Sequence, residues 1–233
     1  MSFVHSPKIV TDGLVLSLDA GNVKSYPGSG TVWTDKSGFN NNGTLTNGPT
    51  FNSDNGGSIV FDGTNDYVEL NRVVQDDFSL CCWFRTTQSY AIGGNTTKQW
   101  YFGAGLVDAE VANVVNDFGM TLQLGKVDFG VGNPDVTLQS PLTYNDDVWH
   151  YAVGTRNKTT GVINLYVDGE LKDTGIGNTN SLTAPSKIRI GSQQTNLGFY
   201  SGKISTVQIY NRVLTQTEIL QNYNTTKSRF GLI

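Results

Sequence analysis

Carboxylates are the first residues in this chain whose types and spacing bear on chemistry. Asp108-Ala109-Glu110 sets two acids on alternate positions, so in an extended segment both point to one face. Retaining glycoside hydrolysis needs two carboxyl groups about 5 Å apart, one as nucleophile and one as acid. The neighbours of this pair supply no third acid in phase, so hydrolysis is not expected; if it occurred, Glu110 would be its critical residue. A Gly-x-Ser-x-Gly elbow, a P-loop and a His-Glu-x-x-His run are all missing, and His5 and His150 are the only imidazoles.

Holding a ligand asks for less than transforming one. Tyr90, Asn95, Trp100 and Tyr101 combine flat rings with an amide, and Gln193 and Tyr200 repeat the pairing in a later loop. Rings cover the apolar C–H face of a sugar while amides satisfy its hydroxyls, so these six residues are the candidate glycan contacts. Alternate strand positions would instead make Trp100 and Phe102 core residues, and the sequence leaves both readings open. Asp62, Asn65 and Asp66 crowd one glycine-rich turn, where Asp62 and Asp66 are candidate calcium ligands. The competing role, which the turn favours, is capping by their own side chains.

The elements that must position these residues are strands. From Trp149 to Arg156, side chains alternate with a period of two. A polar loop from Asn157 to Gly161 turns the chain back into Val162 to Val167, and Asp168-Gly169 suits a tight hairpin leading to a third strand. Further strands are expected at Leu14 to Leu18, Gly43 to Thr46, Ser58 to Phe61, Tyr67 to Leu70, Phe78 to Arg85, Met120 to Leu124, Lys126 to Val131, Lys187 to Gly191 and Lys203 to Tyr210. Two more are expected around the Gly-Gly-Asn turn near residue 94. Thr215-Gln216-Thr217-Glu218 has capping-box spacing and starts a short helix, which Ile219, Leu220 and Tyr223 would dock. Trp33 is expected to pin the Gly- and Asn-rich loop before residue 42 against the core edge.

Apolar residues make up 37%, enough for a continuous core between two sheets. A formal charge of −4 leaves no basic stripe, so no nucleic-acid partner is expected. No run approaches a bilayer span and no charged leader precedes an apolar core, so the reading is a protein made soluble, with no secretion signal and no membrane insertion. Cys81 and Cys82 are neighbours on opposite strand faces, and one of them is expected in the core as a free thiol. The division expected is an N-terminal arm, residues 1–10, and a single domain, residues 11–233.

Trp149-His150 followed by a run ending Leu165-Tyr166-Val167-Asp168-Gly169, with Ser58 to Leu70 and Tyr200 to Tyr223 flanking it in order, resembles laminin G-like domains of the concanavalin A-like superfamily of lectins and glucanases. The resemblance implies an all-β fold: a two-sheet antiparallel jelly-roll sandwich with a short C-terminal helix. It implies a structural role for His150. The glutamate and aspartate triplet of the superfamily's glucanases is not found, which implies a binding module and no enzyme. Such domains often hold a calcium through an acidic residue of the closing strand; Ser205 stands in that phase, which speaks against a structural calcium. Asp12 to Asn47 resembles the opening of laminin G-like proteins of tailed bacteriophages. That implies a virion location, other virion subunits as homo- or hetero-oligomeric partners, and cell-surface polysaccharide as ligand.

Overall fold

A computed structural model of the chain describes residues 8–233, so most of the expected N-terminal arm and His5 lie outside the described residues. Sixteen strands form two antiparallel sheets. The first contains β1 (Leu14–Asp19), β4 (Thr50–Asn52), β5 (Ser58–Asp62), β7 (Phe78–Arg85), β12 (His150–Arg156), β13 (Val162–Val167), β14 (Glu170–Ile176) and β16 (Ser201–Tyr210). Its order is β14-β13-β12-β7-β16-β5-β4, with β1 paired to β16. The second contains β2 (Val32–Trp33), β3 (Gly43–Thr46), β6 (Tyr67–Asn71), β8 (Ala104–Ala109), β9 (Phe118–Gln123), β10 (Lys126–Val131), β11 (Val136–Gln139) and β15 (Lys187–Ile190), in the order β11-β10-β9-β8-β15-β6-β3-β2. This is the jelly-roll sandwich the sequence led us to expect.

Period-two alternation decides which side chains meet between the sheets. Phe78, Leu80, Cys82 and Phe84 of β7 face Phe118, Met120 and Phe129 of the second sheet within one core cluster. Phe78 sits 4.7 Å from Phe118, centroid to centroid. Gly154 of β12 lies where any Cβ would collide with the Phe129 ring, so the glycine sets how closely the sheets approach there. The β13–β14 hairpin turns through Asp168 and Gly169, both at positive φ (55° and 80°), as a twist-matched two-residue turn requires.

The first sheet is covered on its other face too. Cys81, Trp83, Trp149, Tyr151, Val153 and Tyr210 form a second apolar cluster beneath α1 (Gln216–Thr226) and the 3-10 turn Lys227–Phe230. Trp83 stacks on Phe230 at 4.3 Å and on Tyr223 at 5.6 Å. Both cysteines are therefore buried and free, one in each core, where the expectation placed only one; burial pushes the Cys81 thiol up to about 12 and Cys82 well above its ordinary value. The capping box at Thr215 and Glu218 forms. Leu220 is 43% exposed and does not dock the helix; Asn222 does, accepting from the Val10 N–H at 2.8 Å and donating to the Tyr210 hydroxyl at 3.0 Å. Residues 8–10 are thus held by the chain's own helix.

Candidate ligand-binding cleft

The expected pair of strands between residues 86 and 103 does not form. In their place are two 3-10 turns, Ile92–Gly94 and Trp100–Phe102, carried by a loop across the outer face of the second sheet. Phe118, Met120, Leu122, Val127 and Phe129 face inward, so Gly119, Thr121, Asp128 and Gly130 between them face outward. Trp100 fills the space above Gly119 and Gly130, where a Cβ at either position would enter its ring. Thr121 Oγ1 donates to the Trp100 carbonyl at 2.7 Å, and Gln123 Nε2 donates to the Thr97 carbonyl at 2.8 Å. A sheet face floored with glycine and lined with hydroxyl and amide groups needs such a loop, because it satisfies polar groups that the core cannot.

Pinned this way, the second 3-10 turn presents Tyr101 and Phe102, half-buried, to one side. Together with Glu110, Asp135, Gln193 and Leu197 they wall a cleft of ≈ 500 Å³, within the size range of small-molecule sites. The β8–β9 connection supplies Glu110 and the β10–β11 turn supplies Asp135. Behind them stand Asp108, fully buried, and Asp117, 1% exposed. The Glu110 N–H donates to Asp108 Oδ1 at 2.9 Å and the Val111 N–H to Asp117 Oδ2 at 2.8 Å, so the backbone turns around the acids.

These acids share a strained electrostatic position. Burial raises the Glu110 carboxyl far above the carboxylate range, and the charges of Asp108 and Asp117 raise it further. Asp117 is also raised by burial, against the Val111 N–H and the neighbouring Glu110 carboxyl, which lower it. Burial likewise lifts Asp108 and Asp135. No lysine or arginine lines the cleft. The nearest cation, Arg189, is spent on Glu69 Oε2 (3.0 Å), Asn196 Oδ1 (2.8 Å) and the Tyr67 ring (4.0 Å).

The six candidate glycan contacts divide. Tyr101 and Gln193 line the cleft, although Gln193 is 1% exposed and its amide is committed to the Gly103 carbonyl at 2.9 Å. Asn95 is half-buried, with Oδ1 accepting from the Thr97 N–H at 2.8 Å, and Tyr90 packs on the core. Trp100 and Tyr200 are corrections: both are fully buried, Trp100 over the glycine floor and Tyr200 edge-on to Phe61 with its hydroxyl donating to the Arg85 carbonyl, so neither ring has a free face for a sugar. Phe102, Glu110 and Asp135 also line the cleft and were not among the six candidates. Asp108 and Glu110 had shown as a pair, and the acids that complete the group arrive from the other side of a loop and from a turn.

His150 is held at both ring nitrogens, Nδ1 to Asp168 Oδ2 at 2.8 Å and Nε2 to Asp146 Oδ1 at 3.0 Å. Burial opposes its protonation, but the two carboxylates outweigh burial and raise its pKa. It joins the β12 start to the β13–β14 turn.

Neither calcium position fits a dication. Asp62 Oδ1 accepts from the Thr64 and Asn65 N–H groups at 2.7 and 3.3 Å, and Asp66 Oδ2 from the Asp62 N–H at 3.2 Å, so both acids cap their own turn. Beside Ser205, four oxygens converge on Arg229: Asp19 Oδ1 at 2.7 Å, the carbonyls of Asn55 and Gly57 at 2.9 Å each, and Ser205 Oγ at 2.8 Å. This is an oxygen cage of the kind a hard cation takes, and a guanidinium from the chain fills it.

Several proteins share this architecture. Domain 4 of the GH43 extracellular arabinanase AbnA from Geobacillus stearothermophilus, solved in complex with arabinotriose, superposes with a TM-score of 0.71 at 16% identity, covering 91% of this chain and 98% of that one. The binding domain of Paraclostridial Mosquitocidal Protein 1 superposes at 0.70 with 17% identity, covering 92% of this chain and 52% of that one. The botulinum neurotoxin serotype D ligand-binding domain, in complex with N-acetylneuraminic acid, does so at 0.68 with 15% identity, covering 92% and 51%. At such identities these likenesses concern the fold. In sequence, the chain is 26% identical over 166 residues to the Rattus norvegicus Sushi, von Willebrand factor type A, EGF and pentraxin domain-containing protein 1, a match to 67% of this chain that spans only 4% of that much longer protein. Residues 62–220 match the family model described as the concanavalin A-like lectin/glucanases superfamily, and the chain belongs to that superfamily.

Proposed function

We propose that this domain is a non-catalytic carbohydrate-binding module whose sugar site is the cleft between Tyr101 and Phe102 on one wall and Glu110 and Asp135 on the other. The observation that carries this reading is the pairing of two half-buried rings with hydrogen-bonding acids in a cleft of ≈ 500 Å³. Rings and polar groups placed so can cover a sugar's C–H face while engaging its hydroxyls. The acids argue against hydrolysis: Asp108 and Asp117 are buried behind Glu110 and do not line the cleft, so neither stands open beside it as a nucleophile. The arabinanase domain, which shares this fold over nearly its whole length, was solved with arabinotriose, and the neurotoxin ligand-binding domain, about half of which shares it, with N-acetylneuraminic acid; both support a glycan as the ligand class.

A glycan array probed with the native domain and with Tyr101→Ala tests it. Binding that falls roughly tenfold or more in the variant is expected, since loss of a stacking ring removes at least 1.4 kcal/mol or so. Correctly folded protein that binds no glycan at millimolar concentration overturns the reading, and turnover of an oligosaccharide that Glu110→Gln abolishes overturns its non-catalytic half. Presentation on a virion, among other subunits, belongs to the same proposal and rests on the resemblance of Asp12 to Asn47 to bacteriophage laminin G-like proteins. Antibody labelling of assembled particles checks that part.

A further inference from the structure

Resting on that reading, we infer that the cleft selects uncharged or amine-bearing glycans and rejects those carrying a carboxylate. Glu110 and Asp135 line the cleft, Asp108 and Asp117 are buried behind Glu110, and no cationic side chain lines the cleft. Among the described residues none of the four takes part in an ion pair, and one Asp108 carboxyl oxygen has no hydrogen-bond partner. Burial, and then the charges of Asp108 and Asp117, raise the Glu110 carboxyl, the direction expected where carboxylates crowd together. A sialic or uronic acid entering beside Tyr101 would bring a further negative charge within a few ångströms of these oxygens, in a place where water screens poorly. Hydroxyls have no such cost, because they can donate to the Asp135 and Glu110 carboxyl oxygens. An ammonium does better still, with carboxylates and the two aromatic faces all drawing it in.

The rule belongs to the side chains that line this cleft, Glu110 and Asp135 among them. Charge selection of this kind works by exclusion as much as by attraction, because a like charge placed against unpaired buried acids is penalised whatever other contacts it makes.

Isothermal titration of the intact chain separates the outcomes. The probes are neutral oligosaccharides headed by arabinotriose, a glucosamine trimer, sialyllactose and trigalacturonate. We expect the neutral or amino sugars to bind in a manner sensitive to Tyr101→Ala, and the two acidic sugars to bind roughly tenfold or more weakly by comparison. In Asp135→Asn, an exposed position whose change leaves the fold intact, the gap should narrow severalfold. An acidic sugar binding as tightly as the neutral ones, with the same Tyr101 sensitivity, overturns this inference and leaves the carbohydrate-module reading standing. Failure of every probe on folded protein removes the module reading and this inference with it.

Discussion

Replacing Glu110 by glutamine should make the domain less sensitive to rising pH. Both Glu110 and Asp117 are raised above their ordinary values by burial, so the native state holds at least one proton that the unfolded chain has released. Stability therefore falls as pH rises from the ordinary carboxylate range toward the folded values, by about 1.4 kcal/mol per pH unit for each proton retained. From about pH 5 to about pH 7, one retained proton costs some 2.7 kcal/mol, a large share of the roughly 5 to 15 kcal/mol that holds a domain folded. Glutamine has the shape of the protonated acid and cannot ionise. Asp108 and Asp128, also raised by burial, and His150, raised by its two carboxylates, titrate in both proteins; they cancel in the comparison. Urea unfolding followed by tryptophan fluorescence, at several pH values across that range, gives the two slopes. The variant should lose about 1.4 kcal/mol less per pH unit and be the more stable protein near neutrality. Parallel slopes would refute the argument, since they would mean that Glu110 is ionised in the folded state.

Arg229→Ala leaves the Asn55 and Gly57 carbonyls and the Asp19 carboxylate facing an empty cage. It should cost about 2 to 4 kcal/mol and should make the melting temperature rise with millimolar calcium, while the native domain shows no such rise. Equal calcium shifts in both proteins would show that the guanidinium is not the cation of that cage. Gly130→Ala would put a methyl group into the Trp100 ring, costing about 1 to 3 kcal/mol and shifting tryptophan emission to the red as the ring is displaced. Unchanged emission and stability would mean that the loop over the second sheet is not seated by its glycine floor.

The strands were legible because their signal is local. Phe78 to Arg85, Val162 to Val167 and Lys126 to Val131 form with the bounds their alternation marks out. The capping box at Thr215 is equally self-contained, since its partners stand three residues apart. Leu220 was misjudged because the helix face is chosen by what lies beneath it. The cover over Trp83 needs Ile219 and Tyr223, and Asn222 turns toward Tyr210, leaving Leu220 outside. Trp100, within the run from Tyr90 to Tyr101, was misjudged for a related reason: aromatics beside amides describe a sugar site and a plugged sheet face equally well, and glycines at 119 and 130, far along the chain, decide for Trp100.

That same logic explains why the cleft was only half visible. Asp108 lies in β8 and Glu110 just past its end, so their nearness in sequence brings them together without help. Asp117 joins them through a reversal of the chain, its carboxylate accepting from the Val111 N–H, and Asp135 through the β10–β11 turn. Arg229 reaches Asp19, Asn55, Gly57 and Ser205 from the far end of the chain, so nothing around Ser205 announces that its missing negative charge is matched by an added positive one. In both places the local sequence shows one partner and the fold supplies the other, with opposite results. At Ser205 the loss of an acid is balanced, and the cage closes on itself. At Glu110 the acids face a cleft that no lysine or arginine lines, and the proposed ligand, with hydroxyls or an amine, is matched to that imbalance.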